Sequence, residues 1–98
     1  MSVTLINPFE VPKGKEEDCL KMWEEGAEFL KNQPGYINTK LHQTILEDSK
    51  FRFINIAEWE TAESFFNAVQ TEEFQSIVEG AMESYPHYPS LYTIIRDI

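Results

Sequence analysis

The sequence predicts an α+β domain in which a four-stranded antiparallel sheet carries helices on one face. Segments of alternating and of helical apolar spacing follow one another as strand, helix, strand, strand, helix, strand. The stretch Phe51 to Phe66, FRFINIAEWETAESFF, runs from a strand into a helix start with no loop between them. That strand is apolar on both faces, with Phe51, Phe53, Asn55, Ala57 and Trp59 alternating against Arg52, Ile54, Ile56 and Glu58. A half-exposed strand alternates apolar with polar, so this one needs two coverings.

Val3 to Val11 reads as the first strand, with Val3, Leu5, Asn7 and Phe9 on one side. Pro8 brings no ladder donor, which predicts a bulge or an unpaired position there, and a bulge would re-aim Asn7 or Phe9. The first helix is expected over Lys15 to Asn32, opened by Pro12, Gly14 and the acidic turn Glu16, Glu17, Asp18. Leu20, Trp23, Ala27 and Leu30 form its buried stripe, flanked by Cys19, Gly26 and Phe29. Gln33, Pro34 and Gly35 then turn the chain.

Tyr36 to Leu46 reads as the second strand, with Ile37, Thr39, Leu41, Gln43 and Ile45 on the apolar side and Tyr36, Asn38, Lys40, His42 and Thr44 on the mixed one. The turn Glu47 to Lys50 makes a hairpin into Phe51. Thr61 is placed to cap a helix whose stripe is Ala62, Phe65, Phe66 and Val69. Thr71 to Glu73 restart a helix with Phe74, Ile77, Val78, Ala81 and Met82 at i, i+3, i+4, i+7, i+8. Ser84 to Ser90 is a proline-punctuated loop, and Leu91 to Arg96 the last strand. The order is that of the ferredoxin-like split βαβ arrangement, with strands one and three central. Helices then cover one sheet face, and a face-to-face homodimer is the simplest supplier for the other.

The 98 residues, 42% hydrophobic and 26% charged, suit a single domain spanning 1–98. A net charge of −9 repels phosphate backbones and anionic bilayers, which excludes nucleic acid and membrane as expected partners. Cys19 is the only cysteine, and no long apolar run or signal-peptide pattern opens the chain, so a reducing, cytoplasmic setting is expected. There is no phosphate-cradling glycine loop and no histidine pair at ligand spacing, so neither a cofactor nor a metal is expected. The acidic neighbours of Cys19 would raise its pKa, which argues against a thiolate nucleophile.

VTLINPFEVPKGKEEDCLKMWEE, QPGYINTKLHQ, FRFINIAEWETAESFFNAV and EEFQSIVE resemble, segment by segment, the antibiotic biosynthesis monooxygenase superfamily of dimeric α/β barrels. The most specific pieces are the QPG turn, the AEWE-T-AESF junction and the helix beginning near EEF. The resemblance implies a cofactor-independent monooxygenase that oxidises a small aromatic or quinol-like compound with O2 in a pocket between sheet and helices. Such an enzyme holds an electron-rich phenol in a dry site, favours its anion and stabilises charge. The alternative is a non-catalytic dimeric binder of small molecules, or a stress-related protein, on the same barrel.

The resemblance implies Asn7 and Trp59 as catalytic residues, since Asn7 matches a first-strand asparagine that touches substrate and Trp59 a tryptophan ending the third strand. Asn55, His42, Tyr92 and Phe66 are the expected substrate-binding residues, with Arg52 a further candidate. Each has a plainer reading. Asn7 would serve the Pro8 bulge, Trp59 the core, Asn55 a structural hydrogen bond, and His42 an exposed face or dimer contact. Arg52 and Glu58 read as rim charges, and spacing selects none of Tyr36, Tyr85, Tyr88 and Tyr92. In the haem-degrading branch of the superfamily, the resemblance requires a tryptophan where Ala68 stands and an axial histidine where Val78 stands. Only the loop residue His87 is left to replace that ligand, which argues against haem degradation.

Overall fold

The computed structural model describes residues 2–80 and 84–98. It contains β1 (Val3–Phe9), α1 (Glu16–Leu30), β2 (Tyr36–Gln43), β3 (Phe53–Trp59), α2 (Ala62–Val69), α3 (Glu72–Val78) and β4 (Ser90–Tyr92). The strands form one sheet in the order β2-β3-β1-β4, with every neighbouring pair antiparallel. This is the predicted α+β, ferredoxin-like arrangement with β1 and β3 central. The smallest dimension is 17 Å, the depth of a sheet plus one layer of helices about 10 Å across. The predicted continuation of the α3 stripe through Ala81 and Met82 lies outside the described residues.

The two faces of β3 are covered unequally. Phe53, Asn55, Ala57 and Trp59 are buried, whereas Ile54 and Glu58 are half-buried and Ile56 is 36% exposed. The helices thus cover the odd-numbered face alone.

Of the two forms expected at Pro8 the unpaired one is found, and a bulge lies elsewhere. β1 pairs with β3 without a break from Val3↔Trp59 to Phe9↔Phe53, so there is no bulge at Pro8 and Asn7 is not re-aimed. A residue's N and O point to the same edge of a strand, and the Pro8 carbonyl accepts from the Tyr88 N–H at 3.1 Å. The missing donor of Pro8 therefore faces the β4 side, where regular pairing has already stopped after Ile6↔Ser90. The bulge sits instead on β2, where the register jumps between Tyr36↔Trp59 and Asn38↔Glu58. Ile37 is the extra residue and lies 44% exposed, while Tyr36 turns to the helix side and meets Trp59 edge-on at 5.6 Å. The predicted faces of these two residues are thereby exchanged.

Strand ends also fall short. β2 stops at Gln43, leaving Ile45 exposed, and β4 has three residues rather than six, with Ile94 and Ile95 76% and 79% exposed.

Caps follow the sequence closely. The Thr61 hydroxyl accepts from Ser64 N at 3.0 Å, and the Ser64 hydroxyl accepts from Thr61 N at 3.3 Å, forming a reciprocal capping box. Thr71 caps α3 through Phe74 N. Gly35 has φ +88°, and a Cβ there would overlap Ser64, while its carbonyl accepts from Glu60 N at 2.7 Å. The QPG turn and the strand-to-helix junction are thus pressed against each other.

The core comes in two clusters. Leu5, Ala57 and Trp59 pack with Phe65 and Ala68 of α2, and Phe9 and Phe53 pack with Cys19 of α1 and Tyr85. Between them on the same face lie Asn7 and Asn55. No described helix is long and apolar enough to cross a membrane.

Candidate active site

Asn7 and Asn55 are register partners across β1 and β3, so their side chains stand side by side on the helix-facing surface. An apolar core cannot close over two amides without partners for them. The space left between the clusters is a cavity of about 690 Å³, walled by the sheet below and by α1, α2 and α3 above. That volume lies within the roughly 300–1,000 Å³ range of small-molecule sites.

The wall chemistry is one-sided. Met22, Trp23, Ala27 and Leu30 come from α1, Phe65, Phe66 and Val69 from α2, and Phe74 and Val78 from α3. None of the described lining residues is Asp, Glu, Lys or Arg, although 26% of the chain is charged. The polar groups are few, principally Asn7, Asn55, Thr39, Gln75 and His87.

Their hydrogen bonds separate them. Asn55 is buried, and its Oδ1 accepts from the Thr39 hydroxyl at 2.7 Å. Asn7 Oδ1 is buried with no donor among the described residues. Leaving a buried acceptor unmet costs about 1–3 kcal/mol, so this carbonyl is poised to accept from a ligand. His87 is bridged to Phe9 and stacks on its ring at 5.4 Å and 23°. Its Nδ1 lies 2.9 Å from the Tyr85 carbonyl oxygen, which can only accept, so Nδ1 carries a proton, and in the neutral ring Nε2 is then the acceptor.

Of the expected site residues, the structure brings Asn7, Asn55 and Trp59 together, with Phe66 half-exposed at the rim. Trp59 also meets Phe65 edge-on at 5.7 Å, so its cavity position and its core role coexist. His42 lies exposed on the opposite sheet face, paired across from Ile54, with Nδ1 3.2 Å from the Lys40 carbonyl. Tyr92, opposite Thr4, is also on that outer face, and Arg52 donates to the Glu47 carbonyl. These three do not reach the cavity. Thr39 and His87 were not among the expected residues, and a proline on either side of the His-Tyr pair is the one local mark of a loop held in a fixed shape.

The buried thiol of Cys19 stands outside this site. Burial pushes its pKa up to about 11, and the acidic first turn of α1 is not the cause. Among the described residues no three His, Cys, Asp or Glu side chains converge to hold a metal.

The family model described as antibiotic biosynthesis monooxygenase matches residues 2–80. The chain belongs to this family. Family membership supports a monooxygenase in general terms. A candidate monooxygenase from Shewanella loihica PV-4 is 38% identical over 98% of this chain and 96% of its own, with a TM-score of 0.83. SnoaB, a cofactor-independent oxygenase from Streptomyces nogalater, is 23% identical over 99% of this chain and 96% of its own at a TM-score of 0.84, a likeness of fold. A family protein from Nitrosomonas europaea matches at 17% identity and a TM-score of 0.76, covering 96% of this chain and 89% of its own. No curated protein matches the chain.

Proposed function

We propose that this family member binds a small, uncharged aromatic phenol or hydroquinone in the cavity and oxidises it with O2 without a cofactor. The observation that carries the reading is the buried Oδ1 of Asn7, without a partner among the described residues, beside Asn55 in a cavity whose described wall residues carry no charge. An ionic ligand would meet no carboxylate, Lys or Arg among the described wall residues, whereas a ring hydroxyl can donate to Asn7 while the Asn55 amide donates to the ring oxygen.

The electrons balance without an external reductant. A phenol that takes one oxygen atom at a ring C–H and ends as a quinone supplies all four electrons that reduce O2, and the second oxygen atom leaves as water. The protein then needs only to bind, exclude water and favour the phenolate. Trp59, Phe65 and Tyr36 offer ring edges and faces for an aromatic ligand.

Oxygen uptake with a panel of phenols and hydroquinones tests the reaction, and quenching of the cavity tryptophans tests binding. Turnover with at least one compound is expected, with a tenfold or greater loss of affinity in Asn7→Ala. Binding with no oxygen uptake for any compound leaves the non-catalytic binder in its place.

A homodimer joined through the outer sheet face belongs to the same reading. Its support is the row of Ile6, Ile54 and Ile56, which the chain's own helices leave uncovered.

A further inference from the structure

His87 is the one histidine among the described residues that line the cavity, and an imidazole nitrogen can accept a proton. Its position is built, not incidental. Glu10 N donates to the Pro86 carbonyl at 2.8 Å and Tyr88 N to the Pro8 carbonyl at 3.1 Å, so main-chain bonds clamp the loop to β1 on both sides of the histidine. Phe9 backs the ring. The Tyr85 carbonyl holds the Nδ1 proton, so in the neutral ring Nε2, on the far side, is the acceptor. As partner of Phe9, His87 shares the sheet face of Phe9, Asn7 and Asn55. The carboxylate on the adjoining strand end, Glu10, is occupied by the Tyr88 hydroxyl.

We propose that His87 accepts the hydroxyl proton of the bound phenol at Nε2 and so generates the phenolate that reacts with oxygen. The assignment rests on the phenol reading above. In the step, the hydroxyl turns its proton from Asn7 Oδ1 to His87, the phenol O–H bond breaks, its electron pair stays on the ring oxygen, and an N–H bond forms at Nε2. The resulting imidazolium keeps its Nδ1–H on the Tyr85 carbonyl, which stabilises the cation, and the two asparagines stand beside the new anion. In water a phenol near pKa 10 and an imidazolium near 6.5 are about 3.5 units apart. Ion pairing with the imidazolium and amide donation to the anion are what close that gap, so acidic phenols ionise first.

A chromogenic pair tests this without turnover: 4-nitrophenol, whose anion is coloured, and 4-nitroanisole, which has no proton to lose. At a pH where free nitrophenol is mostly neutral, the native protein is expected to raise the anion fraction of the bound probe at least tenfold. His87→Gln abolishes that gain while changing the Kd for nitroanisole less than threefold. Should His87→Gln fold poorly, NMR of the native protein decides. The chain has two histidines, so His42→Gln assigns the other ring, and the His87 signal is expected to move to the imidazolium position with nitrophenol only. Nitrophenol that binds but stays neutral, or an anion band that survives His87→Gln, overturns the proton-acceptor role and leaves the cavity reading standing. Failure of both probes to bind overturns the two together.

Discussion

Asn7 and Asn55 stand side by side and differ by one hydrogen bond, and that difference separates their expected behaviour. Asn7→Leu removes a buried oxygen that no described residue satisfies and replaces it with an isosteric apolar group. It is expected to stabilise the ligand-free protein by about 1 kcal/mol, or roughly 4–8 °C in Tm for a domain of this size, while abolishing phenol binding. Asn55→Leu strands the Thr39 hydroxyl and is expected to destabilise by about 1 kcal/mol or more. Thermal melts of both variants check the opposite signs. Cys19 behaves by the same logic of burial. With its pKa at about 11 against a reference of 9.0, the native thiol holds its proton where the unfolded thiol releases it. The unfolded state thus binds fewer protons above pH 9, and the urea midpoint is expected to fall from pH 9 to 11 for this reason, with Tyr85, also raised by burial, acting in the same direction. Below pH 9 a thiol reagent should label Cys19 only as fast as the protein opens.

At the scale of elements, the tightest constraint is the contact of the QPG turn with the start of α2. Gly35→Ala has to hold φ +88° and displace Ser64, itself half of the capping box, so a loss of at least about 2 kcal/mol is expected in urea unfolding. Gly26 is the contrast. It lies mid-helix in α1, where an added Cβ would sit 3.5 Å from Phe74, an ordinary contact. Gly26→Ala is expected to stabilise by about 0.5–1 kcal/mol and to narrow the cavity by one methyl group. The strong local signals were legible in the sequence for the same reason that they are stable: the Thr61 cap, the alternation of Phe53 to Trp59, and the α1 stripe are each specified by neighbours in the chain, whereas the reciprocal bond from Ser64 was not foreseen. The exchange of Tyr36 and Ile37 was not, because a bulge leaves no compositional mark. His42 was correctly placed on the mixed face of β2, but which face meets the helices is decided by pairing with β3.

For the whole molecule, the site depended on facts no local pattern holds. Asn7 and Asn55 are 48 positions apart, and only the β1–β3 register makes them neighbours. His87 enters because the segment before β4 keeps the register of β4 along β1, with Phe9↔His87 following Thr4↔Tyr92 to Ile6↔Ser90. Both were visible as residues and not as a constellation. The same global view bears on assembly. If the outer face meets a second copy, sedimentation at micromolar concentration gives a dimer, and Ile56→Lys, in the middle of that face, shifts it to monomer. Two chains of −9 repel, so association should tighten as salt rises from low ionic strength. A monomer under all salts would remove the outer-face pairing.

The bulge at Ile37 also makes β2 tolerant of a lost codon. Tyr36 faces the helices and Asn38 faces out, so Ile37 is a spare residue between two positions that already alternate. Deleting Ile37 would give a regular ladder with every other side chain where it was, and deleting Asn38 would let Ile37 take its place. Single-residue deletions at the start of β2 are therefore absorbed, whereas the same loss from β1 or β3 would turn the asparagine pair out of the cavity.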